Sequence, residues 1–371
     1  MDSRMTTVER SENNPLIEVS DLTGDNVNYP SVIKVPDWVD DPLGEYYLYF
    51  SHKRGQYIRL AYADAIDGPW EIHPPGTLHI KDTPFTGHIA SPDVHVDHDA
   101  QLIRMYYHGE TRVRDLLRNP WRNERYRYDR YGFRKREIPY RILFNACRTV
   151  YKTIGQRRSY KGTSDASSDT TQNSEVGNET ARISSFEQRL WDLNLIPSPI
   201  QETRHAVSTD SLEFTSTSSI LGPSWFAVFT YHDRHFALGR DGYVYTADSP
   251  TSPFTRTRKL FDRHRHFGVH VVGDRLDVYY SRPTDEPEGI LRTGVELGED
   301  VDDWEKGNTE RILDPEMEYE GADITDRESE RGPADRRREL RDPEILVENG
   351  ETYLFYALAG ESGIGLANLR N

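Results

Sequence analysis

Apolar and polar residues alternate along this chain in short runs, and the runs come in sets. Tyr46-Tyr47-Leu48-Tyr49-Phe50, Leu102-Ile103-Arg104-Met105-Tyr106-Tyr107, Phe226-Ala227-Val228-Phe229, Leu276-Asp277-Val278-Tyr279-Tyr280 and Thr352-Tyr353-Leu354-Phe355-Tyr356 are all rich in aromatic residues. That composition in short runs predicts β-strands. A phrase with a proline precedes most of them: Tyr29-Pro30-Ser31-Val32-Ile33, Ser91-Pro92-Asp93-Val94-His95, Pro223-Ser224-Trp225-Phe226 and Asp342-Pro343-Glu344-Ile345-Leu346. His266-Phe267-Gly268-Val269-His270 keeps the rhythm without the proline. Self-similarity at a period of about fifty residues signals a propeller or a solenoid. The predicted fold is all-β, a five-bladed β-propeller with an irregular, partly helical insertion in blade two.

Turns divide the pattern into blades. Blade one has strands at 30–35, 45–52, 57–64 and 70–72, broken by Gly44, Gly55 and Asp67-Gly68-Pro69. Blade two begins at 89–96 and 102–108 and resumes at 203–208 and 212–216. Blade three takes 224–231, 234–238, 243–247 and 254–258; blade four takes 267–272, 275–281, 290–297 and 304–313. Blade five has only 344–348, 352–358 and 364–369. A propeller covers its exposed edges, so residues near 16–19, within an N-terminal segment 1–28, are expected to supply the missing outer strand. The propeller itself spans 29–371.

The stretch 111–201 does not fit the rhythm. It opens basic and aromatic, from Trp121 to Tyr131 and through Arg134-Lys135-Arg136. Residues 142–154 and 185–193 suit helices, and 162–180, rich in Ser, Thr, Asp and Asn, is expected to be disordered. A charged connection at 319–340, broken at Gly332-Pro333, precedes blade five.

The net charge is −16. Such a field disfavours nucleic acid, leaving the basic insertion as the one candidate polyanion surface. An arginine-rich decoration on an acidic body is the preferred reading of that run, since no RNA-binding module pattern is present. Lysine stands only at 34, 53, 81, 135, 152, 161, 259 and 306. Adaptation to high salt is one reading of this bias, and genomic base composition is the other. Cys147 is alone, so no intramolecular disulfide can form. Residues 1–18 lack an apolar signal core, and no segment has the apolar length of a membrane span. A cytoplasmic location is expected.

Inner strands of a propeller begin at one face of the central axis. The residues flanking each repeated phrase are therefore candidates: Asn28, Tyr29, Ser31, Ser91, Asp93, Ser224, Trp225, His266, His270, Arg341, Asp342 and Glu344. Sugar hydrolysis needs one protonated and one ionised carboxyl group. Asp93, Asp342 and Glu344 are the catalytic candidates; turn capping is the other reading of the two aspartates. Tyr29, His52, Arg59, His88, His108, Arg204, Trp225, Arg282, Arg341 and Glu361 are the substrate-binding candidates. His88, His95, His98 and His108 show no metal-ligand spacing. Neither a transition metal nor a cofactor is expected, though a polar axial channel leaves room for a hard cation.

The Pro-Asp-Val of Ser91–Val94 and the Asp-Pro-Glu-Ile of Asp342–Ile345 resemble the inner-strand motifs of five-bladed propeller glycosidases, the family 43 and 32 glycoside hydrolases, which include arabinanases and xylosidases. Tyr57-Ile58-Arg59-Leu60-Ala61-Tyr62-Ala63-Asp64 and Asp67-Gly68-Pro69-Trp70-Glu71 are similar to outer strands of that family. The likeness covers nearly all of the chain outside the insertion. It implies that Asp93 is the second-blade aspartate that tunes the catalytic acid. Tyr29 or Asn28 stands at the first-blade base position, and Ser224 and Trp225 stand where the third blade places its acid. The acid would then come from Asp342, Glu344, Glu288 or Glu320. A carbohydrate-active, glycoside hydrolase-like enzyme is implied. A glycan-binding or scaffold propeller and a glycoside phosphorylase are the alternatives.

Overall fold

The structure is a computed structural model, and it describes residues 7–52, 55–111, 200–326 and 335–370. The expectations for 112–199, including the helices, the disordered stretch and the basic-aromatic run, lie outside the described residues.

The strands form five sheets. Blade one is β3 (Asn28–Lys34), β4 (Tyr46–Ser51), β5 (Tyr57–Ala63) and β6 (Glu71–His79). Blade two is β7 (Ile89–Asp97), β8 (Leu102–Thr111), β9 (Ile200–Ser208) and β10 (Thr215–Ser216), with β11 (Gly222–Pro223) also on β9. Blade three is β12 (Ala227–Tyr231), β13 (Arg234–Leu238), β14 (Tyr243–Ala247) and β15 (Thr255–Lys259). Blade four is β16 (Phe267–Val272), β17 (Arg275–Tyr280), β18 (Ile290–Glu296) and β19 (Glu305–Leu313). Blade five is β20 (Arg341–Glu348), β21 (Glu351–Leu358) and β22 (Gly363–Arg370), covered by β1 (Thr7–Arg10) and the short β2 (Ile17–Glu18). Residues near 16–19 thus add only β2, against Ile364 and Gly363. The longer ladder is Thr7–Arg10 against Arg370–Ala367.

Two outer strands differ from the sequence reading for local reasons. In blade two, Asp210 accepts the backbone N–H groups of Leu212 and Glu213 at 2.9 Å each. The side-chain turn takes donors that a strand would need, so β10 begins only at Thr215. In blade one, β6 runs past Pro74 and Pro75, with a register shift opposite Ile58–Leu60. Proline is tolerated there because the strand is the outermost of its sheet.

The apolar side chains explain why the sheets close into a ring. Each of the five buried clusters draws on two neighbouring blades. Tyr47, Ile58 and Leu60 of blade one meet Ile103, Met105 and Tyr107 of blade two. Tyr106 of blade two meets Phe226, Val228 and Tyr245. Phe229 and Phe236 of blade three meet Tyr280 and Trp304. Tyr279 and Leu313 of blade four meet Leu354 and Tyr356, and Phe355 and Leu366 of blade five return to Val32 and Phe50 of blade one. A fully buried side chain of this size contributes roughly 1.5–3 kcal/mol, and no sheet can bury both faces without both neighbours. Among the described residues, no helix is long and apolar enough to cross a membrane.

Candidate active site at the ring axis

The repeated proline marks a break in the inner strands of blades one, two and five. The pairing of β3 with β4 shifts between Asn28 and Ser31, that of β7 with β8 between Ala90 and Asp93, and that of β20 with β21 between Arg341 and Glu344. The residues caught in these bulges are Tyr29-Pro30, Ser91-Pro92 and Asp342-Pro343. Tyr29 (φ 52°), Ser91 (φ 51°) and Asp342 (φ 50°) are left-handed, and so is Trp225 (φ 64°) at the head of blade three. A non-glycine residue there costs on the order of 1–3 kcal/mol and persists only where its surroundings enforce it. Proline after it makes the conformation rarer still.

All four left-handed side chains touch one residue, His266, at the head of blade four. Ser91 Oγ lies 2.9 Å from His266 Nε2, and Asp342 Oδ1 lies 2.9 Å from His266 Nδ1. The Tyr29 ring sits 4.0 Å from the imidazole centroid and the Trp225 ring 4.2 Å from it. Gly268, on β16, lets blade four come this close to blade five. A Cβ there would stand 2.6 Å from the carbonyl oxygen of Pro343.

The electrostatics define the protonation states. Burial disfavours the charged imidazole and holds His266 below the usual histidine range, although Asp342 pulls the other way. Burial also opposes ionisation of Asp342, but His266, Arg265 and Arg341 outweigh it and keep its carboxyl below the usual range. An ionised Asp342 can only accept, so His266 carries its proton on Nδ1 and presents a lone pair at Nε2 to the Ser91 hydroxyl. The charged and titratable groups acting on this imidazole are Asp342, Arg265, Glu361, His108 and His264. Burial pushes the Tyr29 phenol well up, so it stays neutral.

Among the described residues, Trp225 Nε1, His108 Nδ1 and Asp342 Oδ2, around His266, are shut off from solvent without a hydrogen-bond partner. His108 Nε2 lies 3.4 Å from His88 Nε2, and its ring edges onto Trp225 at 6.2 Å. Burial drives its pKa well below the usual value, with His88 and His266 adding to the effect. The Arg240 guanidinium lies over the Trp225 ring, 4.5 Å from its centroid.

A belt of buried polar groups supports the cluster. Arg341, fully buried, reaches Glu361 at 3.0 Å, Glu288 at 3.6 Å and Glu339. Glu288 also takes Arg265 at 2.7 Å and Ser281 at 2.6 Å. Glu361 accepts from Asn26 (2.6 Å) and Asn28 (3.1 Å). Asn28 in turn accepts from Ser51 at 3.1 Å, and the Ser51 hydroxyl accepts the backbone N–H of Ser91 at 3.1 Å. The belt therefore runs from blade four through blades five and one and ends on the backbone of Ser91.

Asp93 and Glu344 stand in a second group farther along the inner strands. Asp93 accepts the backbone N–H of Val228 at 2.7 Å and contacts His95 at 2.9 Å. Glu344 accepts the Ser31 hydroxyl at 3.1 Å, and Ser31 accepts the backbone N–H of Val94 at 2.9 Å. Burial first, and the charge of Asp93 next, push Glu344 up to about 8. The structure thus sets a protonated carboxyl beside one that ties blade two to blade three.

The other sequence candidates are distributed around this core. Arg341 and Glu361 belong to the belt. Tyr29 and Trp225 flank the imidazole, and His88 and His108 adjoin Trp225. Arg59 donates to the Asn26 carbonyl at 3.3 Å, and His52 meets Asp25 at 2.5 Å, both beside the segment that leads into blade one. Arg204 packs over the Phe85 ring at 5.2 Å and lies 3.7 Å from Glu202. Arg282 donates to the Tyr280 hydroxyl at 3.3 Å. Among the described residues, neither Arg204 nor Arg282 is in hydrogen-bond, ion-pair or ring contact with His266. Ser91 and His266 flank the repeated phrases, but neither is among the catalytic candidates that the sequence offers. Ser91 shares with Tyr29 and Asp342 the position just before the proline, and that was the available signal. Among the described residues no group of three or more His, Cys, Asp or Glu side chains is placed to hold a metal.

The fold is that of the five-bladed propeller glycosidases. The chain superposes on a glycosyl hydrolase from Bacteroides ovatus with a TM-score of 0.56 at 11% identity, covering 99% of this chain and 95% of that one. It superposes on a family 43 enzyme of Xanthomonas citri in complex with xylose with a TM-score of 0.51 at 11% identity, covering 96% and 89%. A β-xylosidase/α-arabinofuranosidase of the same family, from a compost metagenome and in complex with xylotriose, gives 0.50 at 12% identity, covering 98% and 94%. In sequence, the chain is 28% identical over 368 residues to the uncharacterised protein R118 of Acanthamoeba polyphaga mimivirus, covering 93% of this chain and 83% of that protein. No protein-family model matches it.

Proposed function

We propose that this protein is a carbohydrate-active enzyme of the glycoside hydrolase type, acting on a sugar at the ring axis. The carrying observation is the convergence of strained residues from four blades on His266, at the point where the inner strands meet. Strain is retained where function needs it and packing elsewhere enforces it. The shared fold with xylose- and xylotriose-bound enzymes supports a sugar as the ligand.

Glycoside cleavage needs an acid and a base. Glu344 is the proposed acid, kept protonated at neutral pH by burial and Asp93. Asp93 would then tune the acid. The neutral His266, oriented by Asp342, is the proposed base. Activity should fall on the acid side as His266 protonates, below 6.5, and on the alkaline side near 8 as Glu344 ionises.

Turnover of aryl glycosides and xylo-oligosaccharides, with and without phosphate and at low and high salt, tests the reading. Glu344→Gln should lower the rate on the order of 10²–10⁴-fold. Absence of turnover under every condition would sink the enzymatic reading, and phosphate dependence would redirect it to phosphorolysis. A glycan-binding role without turnover is the second reading. The observation favouring it is that both oxygens of Asp93 are already engaged, by Val228 and His95.

A further inference from the structure

We propose that Ser91, His266 and Asp342 form a nucleophile, base and orienting group, and that the protein cleaves a short-chain carboxylic ester through an acyl-enzyme on Ser91. This goes beyond glycosidic cleavage and does not depend on it.

The geometry has the two links such a relay requires. Ser91 Oγ and His266 Nε2 are 2.9 Å apart, and His266 Nδ1 and Asp342 Oδ1 are 2.9 Å apart. Each partner comes from a different blade. A chance surface contact would not need the backbone strain found at Ser91 and Asp342 (φ 51° and 50°). Nor would it need the polar belt that ends on the Ser91 N–H at 3.1 Å. The third requirement is a donor for the oxygen that becomes negative. Among the described residues Trp225 Nε1–H has no acceptor and is shut off from solvent, and its ring lies 4.2 Å from the imidazole.

The chemistry balances without a cofactor. The Ser91 hydroxyl proton passes to His266 Nε2 as Oγ bonds to the ester carbonyl carbon. The carbon–oxygen bond to the leaving alcohol breaks, and His266 returns the proton to that oxygen. Water then attacks the acyl-Ser91 carbon and gives a proton to His266. The Oγ–carbon bond breaks, the proton returns to Ser91, and a carboxylic acid leaves. Asp342 remains ionised throughout. Ser91 is 8% exposed and the imidazole is walled by Tyr29 and Trp225, which restricts the acyl group to a small one such as acetyl.

Incubation of the full chain with a fluorophosphonate, followed by intact mass and peptide mapping, tests the proposal. The serine oxygen bonds to phosphorus and fluoride leaves, so one adduct is expected, on Ser91. Its rate should drop on the order of 10²–10⁴-fold in His266→Gln, and p-nitrophenyl acetate hydrolysis should follow the same order. No adduct at Ser91 in the folded wild-type protein overturns the proposal, as does equal ester hydrolysis by wild type and Ser91→Ala. The wild-type adduct decides the matter even where a variant fails to fold. Xylo-oligosaccharide turnover with no Ser91 adduct would defeat the relay alone, and an adduct with no sugar binding or turnover would defeat the carbohydrate reading alone.

Discussion

Ser91, like Tyr29 and Asp342, is a left-handed non-glycine residue followed by proline. An L-residue in that region costs roughly 1–2 kcal/mol that glycine does not incur. Replacing glycine by alanine usually stabilises a protein by reducing the freedom of the unfolded chain, but the order reverses at positive φ. Chemical denaturation should therefore find Ser91→Gly more stable than Ser91→Ala by about 1 kcal/mol. The opposite order would mean that Ser91 is not held left-handed in solution. Tyr29, Trp225 and Asp342 share its backbone region, so the strain is a property of the position. It aims one side chain from each of four blades at His266.

The inner strands carry the site, and their approach is set by a few residues. Gly268 stands where β16 passes the bulge of β20, and Gly268→Ala would place a Cβ 2.6 Å from a backbone oxygen. A backbone neighbour cannot rotate away, so the strands must part. A loss of about 1–3 kcal/mol is expected, together with a weaker His266–Asp342 contact, read as a higher melting temperature for wild type and a shifted His266 resonance. Unchanged stability would show that the two blades are not so closely packed. Arg341 holds three carboxylates in the belt. Arg341→Ala should cost about 3–5 kcal/mol, because it leaves buried charge uncompensated. A loss of function at unchanged melting temperature would move Arg341 from support to substrate binding.

At the same scale, the repeated proline phrases and aromatic runs made the blades readable from sequence. In blades one, two and five each phrase is the inner strand and each run its neighbour; in blade three the phrase leads into the inner strand and the run forms it. The outer strands were less legible. Asp210 diverts the chain of blade two into a side-chain turn, and the Thr7–Arg10 strand lies hundreds of residues from the edge it covers. The site was half legible. Tyr29, Trp225 and Asp342 were readable from the phrases. His266 stands among the residues flanking the phrases, but its importance lies in contacts to four distant segments, which no sequence spacing shows. Arg341 and Glu361 were readable as charges near the axis. Their mutual neutralisation in a buried belt is a tertiary property.

The ring as a whole buries several histidines in neutral form. His266, His108, His205, His235 and His270 lie below the usual value of 6.5, with burial the largest cause for each, and burial lowers His264 to about 4. A histidine depressed in the folded state binds its proton more readily when unfolded. Below 6.5 the unfolded chain takes up more protons, so these groups favour the fold above that pH and stop doing so as pH falls. Glu344 has the opposite sign. Its pKa is raised from 4.5 to about 8, so its contribution is complete below 4.5 and is lost as pH rises to about 8. Melting temperature should therefore fall between pH 6.5 and 4 in wild type, and Glu344→Gln should flatten the decline expected toward pH 8. A wild-type melting temperature independent of pH between 4 and 6.5 would contradict burial of neutral imidazoles.

The central claim is that Tyr29, Ser91, Trp225 and Asp342 hold His266 as a neutral base pointed at Ser91. Nitrogen-15 NMR of the histidine side chains, titrated with pH and assigned with His266→Gln, tests it most directly. The account predicts that His266 is neutral at pH 7 with its proton on Nδ1, titrates below 6.5, and changes its tautomer balance in Asp342→Asn. A charged His266 at pH 7, or a neutral ring protonated on Nε2, would contradict it.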